Sequence, residues 1–228
     1  MIATLRLLAL VAYLPLAYLA GARQSQGLAA TALALLVFLV LADALRRGRP
    51  AAWAVALACG AVIALLVREG WALLPLWLVP SVFMALVATV FARTLRRPRI
   101  PLITRVVAAL YGQPVEQLSP LHIRYTRGLT AAWATLLYGL AALNLTLAMV
   151  ATPDGLLASV GVQAPVTVTR DQWSFLANIA NYGVLGGFMV LEYIVRRRVF
   201  ATLPYRNFAE FARRMAGLGP AFWRDVLR

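Results

Sequence analysis

The 228-residue chain is 62% apolar and only 13% charged, with a mean hydropathy of +0.79. Soluble domains average roughly 45–50% apolar and about 25% charged residues, so this composition is that of an integral membrane protein. The net charge of +14 comes from 22 basic residues, all arginine, against eight acidic ones, which excludes lysine chemistry such as Schiff bases. Nucleic-acid binding would need a basic domain outside the membrane, and no extramembrane segment is long enough to make one. The single cysteine, Cys59, excludes an intramolecular disulfide and a thiolate metal site.

Six apolar runs follow in order, at about 2–22, 27–45, 51–67, 71–92, 129–151 and 173–195. A bilayer core of roughly 30 Å needs about 20 apolar residues in a helix, and each run approximates that length. The first carries Arg6 near its start and Pro15 in its middle. It reads either as a signal peptide ending at Ala20, Gly21 and Ala22 or as an uncleaved span, and we take the span because further spans follow at once. The fourth run contains Pro75 and Pro80, which should bend it. Thr169 with Gln172 three residues on fits a capping box that starts the sixth. The polar stretch 152–171 permits either an outer fold or a dip into the membrane.

The expected architecture is all-α: a single polytopic membrane domain of six transmembrane helices, with cytoplasmic interfacial helices in a basic segment at 93–127 and a basic amphipathic tail at 196–228. With six spans both termini share one side, which holds 19 arginines, leaving Arg23, Arg68 and Arg170 on the other. The positive-inside rule then places both ends in the cytoplasm of a bacterial inner membrane.

Two cytoplasmic segments carry most of this charge. In 93–127, Pro101 can start a short helix with Leu102, Ile103, Val106, Val107 and Leu110 on one face. That face would lie either in the headgroup region or on the inner ends of the spans. In the tail, Asn207 and Glu210 resemble a helix start, followed by an apolar stripe of Phe208, Phe211 and Met215. The first segment has seven arginines against Glu116, and the tail eight against Glu210 and Asp225. Arg93, Arg96, Arg97, Arg99, Arg105, Arg124, Arg127, Arg196, Arg197 and Arg198 are therefore candidate contacts for anionic phospholipid or an acidic protein, or simply set the topology.

Polar groups inside the spans are few. Arg6 and Asp43 fall at similar depth and can pair. Glu192 lies one turn before Arg196, a spacing that satisfies it locally, and it could instead act as a base or ligand facing Arg124, Tyr125 or Arg127. Asn144 and Asn181 come level in an antiparallel helix pair, and with Asn178 and Tyr182 they form a candidate intramembrane polar cluster, most simply packing glue. Gly183 and Gly187 have GxxxG spacing, suited to helix packing or a homodimer. His122 is the only histidine and sits in an expected loop. No metal or cofactor site is expected, and no familiar catalytic constellation appears beyond Glu192 and His122 as isolated candidates.

The order FARTL at 91–95, PLITR at 101–105, YTR at 125–127 with Thr130 and Trp133, then Asn178, Tyr182, EY at 192–193 and the arginines at 196–198 resembles a family. It comprises small bacterial inner-membrane proteins encoded among aryl polyene and xanthomonadin-type pigment biosynthesis genes. The likeness is best from Phe91 onward, and the first four spans match in hydropathy alone. It implies an accessory role in the assembly or membrane handling of a polyene acyl lipid built on an acyl carrier protein. Such carriers are acidic and their products lipophilic, which suits a basic surface above an apolar bundle. A lipid or pigment transporter, and an integral acyl or glycosyl transferase using Glu192 and His122, are the competing expectations.

Overall fold

A computed structural model describes residues 2–152, 155–159, 161–164, 166, 168–169, 172, 175, 179–200 and 204–226. It is helical apart from one two-residue parallel pairing, Ala151–Thr152 with Val168–Thr169. Among the described residues, four helices are long and apolar enough to cross a membrane: α2 (Gln26–Arg46), α3 (Pro50–Arg68), α4 (Leu73–Leu95) and α6 (Pro120–Val150). The first run forms α1 (Ile2–Arg23), a helix that continues through Pro15. Asn178, Arg170 and the start of the sixth run lie outside the described residues, as does the side chain of Thr169.

The chain divides into two compact units inside α4, at Val79 and Pro80. The first holds α1, α2, α3 and the start of α4. Its turns follow local chemistry: Ser25 caps α2 by accepting from the Leu28 N–H, and Pro50 opens α3. The Gln26 side chain donates to Gly70 O and accepts from Ala72 N, both at 2.8 Å, tying the α3–α4 turn to the start of α2. The core is small-residue packing, with Ala20, Ala29, Ala32 and Ala72 fully buried beside Leu33, Leu73 and Leu76, as suits close helix approach in lipid. Arg6 Nη1 donates to Asp43 Oδ2 at 2.9 Å. One side of α3, with Trp53, Leu57, Val62 and Leu65, is exposed, a face that suits acyl chains rather than water, while Ile63, Leu66 and Val67 pack on the core.

The second unit runs from Pro80. After α4 come α5 (Leu102–Tyr111), a 3₁₀ turn (Val115–Gln117), α6, the short α7 (Leu156–Ser159), a widened π-turn (Ile179–Val184) continuing into α8 (Leu185–Val199), α9 (Phe208–Gly217) and α10 (Gly219–Val226). Gly112 ends α5 at φ +65°, a left-handed cap that favours glycine. At Gly155 a Cβ would meet Ala151 O at 2.2 Å, so the turn behind Thr152 requires its absence.

One expectation changes here, and one open alternative is decided. The helix of the fifth run begins at Pro120 rather than Leu129, because Ser119 accepts from the His122 N–H and Pro120 occupies the first turn. Polar residues end the apolar run there without ending the helix, so His122 stands in the first turn of α6 and not in a loop. The apolar face of α5 also has protein neighbours: Leu102, Val106 and Leu110 pack with Val90 and Phe91 of α4, Phe211 and Met215 of α9, and Phe222 and Trp223 of α10.

Candidate functional site

Between α4, α5, α6, α8 and the tail of the second unit lies a cavity of about 440 Å³. Its position follows from how α5 is anchored. Pro101 offers no side-chain cap, so the first amides of α5 take partners from the flanking helices. Leu102 N donates to Thr94 Oγ1 of α4 at 2.9 Å, and Ile103 N to Thr130 Oγ1 of α6 at 3.3 Å. Thr104 and Thr126 then join their hydroxyls at 2.7 Å, both fully buried. These bonds hold α5 against the helices while its side chains, with those of α9 and α10, wall the cavity.

Most of the wall is apolar, contributed by residues such as Val90, Phe91, Val106, Trp133, Met189 and Met215. Trp133 is fixed edge-on to Phe188 at a centroid separation of 4.8 Å. At one end the lining turns polar. Tyr125 Oη donates to Glu192 Oε1 at 3.1 Å, Arg196 Nη2 donates to Glu192 Oε2, and Arg196 Nη1 donates to Tyr205 Oη. Glu192 is 8% exposed and the Arg196 side chain 19%. The guanidinium also stands 5.4 Å from the centre of the Phe211 ring, a cation–π distance. Its Nε is buried without a partner among the described residues.

Beside this pair, His122 stacks on Phe200 at 4.2 Å, with its Nδ1 2.7 Å from Ser119 Oγ and its Nε2 3.4 Å from Tyr111 Oη. Burial raises the Tyr111 and Tyr205 phenols above their ordinary value, and the Arg196 charge opposes both shifts. Neither therefore ionises at neutral pH, and both serve as neutral hydrogen-bonding groups.

The cavity brings Glu192, His122, Tyr125 and Arg196 to one place. Glu192 has both oxygens engaged, which leaves it poorly placed as a free base. Arg93, Arg96, Arg97, Arg99, Arg124, Arg127, Arg197 and Arg198 are exposed. Arg127 nevertheless donates to Leu95 O at 3.0 Å, at the C-terminal end of α4. Arg197 lies over the Tyr193 ring, and Arg105 reaches Asp225 at 3.5 Å. Arg196 differs from its two neighbours in turning inward.

Asn144 and Asn181 exchange reciprocal bonds of 2.7 and 3.0 Å, and Asn144 also donates to Leu140 O. Tyr182, Gly183 and Gly187 are exposed. Among the described residues no three of His, Cys, Asp and Glu gather into a metal-binding group. Sequence reasoning missed Tyr111, Phe200 and Tyr205. Their one signal is an aromatic residue flanking each basic stretch.

Comparison with protein-family models, curated proteins and solved structures finds no match to this chain.

Proposed function

We propose that this is a multi-pass protein of the bacterial inner membrane that holds the acyl chain of a lipid-like intermediate at the cytoplasmic face. In this reading six spans place both termini in the cytoplasm, and the chain arrives from an acidic acyl carrier protein. The observation that carries the proposal is the cavity: apolar walls sized for a small ligand, closed by a tail whose polar side is rich in arginine. Many of the residues behind the family resemblance, Phe91, Tyr125, Thr126, Trp133, Glu192 and Arg196, line that same cavity. Aryl polyene or xanthomonadin-type pigment assembly is the pathway this resemblance favours.

The exposed arginines at 93–99 supply the docking surface for the carrier and for anionic headgroups. The test is binding of purified acylated carrier protein to the full chain in detergent, with the quadruple variant Arg93→Gln, Arg96→Gln, Arg97→Gln and Arg99→Gln alongside. Raising salt from 0.1 M to 1 M shortens the screening length from about 10 Å to about 3 Å. Binding should be lost at high salt and in the variant. Absence of binding, or binding indifferent to both changes, would contradict the carrier role.

A transfer enzyme is the second reading, favoured by His122 and Glu192 lining one cavity. Product formation abolished in a folded Glu192→Gln protein would support it, and full activity would remove Glu192 as its base.

A further inference from the structure

The polar end of the cavity is electrically balanced before any ligand arrives. Glu192 gives one oxygen to Tyr125 and the other to Arg196, and Arg196 spends its two terminal nitrogens on Glu192 and Tyr205. Three of the five guanidinium N–H bonds are left over, and among them the buried Nε–H has no acceptor among the described residues. Such a donor is costly to leave unmade, and native proteins normally supply it with a protein, water or ligand acceptor. A carboxylate brought there would share one guanidinium with Glu192 in a poorly solvated setting, where like charges repel strongly. A neutral oxygen meets no such penalty.

The geometry points to an acyl ester or thioester as the ligand, its chain among Val106, Met189, Met215 and Trp223 and its carbonyl oxygen accepting from the Arg196 guanidinium that lines the cavity. This rests on the acyl-handling reading above and names the chemical state in which the chain is held. Glu192 acts as a filter: by occupying Arg196 it denies a free fatty acid its counter-ion. A chain still esterified to its carrier is accepted, and the hydrolysed acid is turned away.

The test uses the full chain in nanodiscs, with a photoreactive palmitate methyl ester as probe and unlabelled methyl palmitate or palmitic acid as competitor at equal bilayer mole fraction. The ester should crosslink to cavity residues such as Met189 and Trp223, and methyl palmitate should compete at least about tenfold better than the acid. Glu192→Gln keeps an acceptor for Tyr125 and Arg196 but removes the charge, so the order should reverse and the acid become the stronger competitor. Equal competition in the wild-type protein overturns the headgroup assignment, as does an unreversed order in the variant, while both leave the chain-holding reading intact. Crosslinks that avoid the cavity, for the ester and for a photoreactive acid alike, overturn that reading itself. The wild-type comparison decides the assignment even if the variant fails to fold.

Discussion

Thr94 and Thr130 each donate a hydroxyl hydrogen to their own helix, to Phe91 O and Thr126 O, and accept an amide of α5 in return. Together they do for α5 what Pro101 cannot. Thr94→Val or Thr130→Val keeps the shape but leaves the Leu102 or Ile103 N–H unpaired, and each should cost about 1–3 kcal/mol. Hydrogen exchange at those amides, with unfolding followed in detergent, would check it. Normal protection in both variants would show that α5 is held by its apolar face alone. Asn144→Leu should cost about 1 kcal/mol by stranding Asn181 of the reciprocal pair, read from the same unfolding curves. The asparagine spacing could be counted on paper, since two helices in antiparallel contact bring Asn144 and Asn181 level. The threonine caps could not, because each links helices whose neighbourhood only the fold establishes.

Among the elements, α9 shows how the tail is built. Asn207 Oδ1 accepts the Glu210 N–H at 2.9 Å, while Glu210 accepts from Arg206 N and from Arg214, whose Nη2 lies 2.8 Å away. The Arg206 amide and the Arg214 side chain hold the Glu210 carboxyl below its ordinary value of 4.5. A depressed folded value means that the stabilisation is complete above the usual carboxylate range and is lost as pH falls through the folded value. Protease protection of 208–217 should therefore decline on acidification, and Glu210→Gln should abolish that dependence. Asn207→Ala should weaken the helix by about 1 kcal/mol at any pH, measurable by the same protection. Asn207, Glu210 and the stripe of Phe208, Phe211 and Met215 were legible because capping and periodicity are local. Where the stripe docks was not. Phe211 and Met215 meet Leu102, Val106 and Leu110 across about a hundred residues of chain, and no local signal encodes that pairing. The early start of α6 was signalled by Ser119 and Pro120 but masked by the polar residues that follow them.

For the whole molecule, hydropathy made the helical, membrane-compatible character readable, since length and apolarity alone select α2, α3, α4 and α6. The cavity was not readable, because five separated stretches contribute to it and its polar end turns on which way Arg196 points. The proposed topology predicts that, in a Cys59→Ser background, cysteines at Arg23 and Arg68 react with an impermeant maleimide outside spheroplasts. Those at Arg47, Arg99 and Arg213 should stay protected until lysis, and labelling of Arg99 from outside would contradict it. The most direct test of the central claim is mass spectrometry of the protein released from its own membranes, wild type beside Val107→Trp, which places an indole in the cavity wall. Val107→Trp should remain folded by gel filtration and lose an acyl-bearing molecule that the wild-type protein retains. No bound chain in either protein, or equal amounts in both, would contradict the assignment of this cavity to an acyl chain.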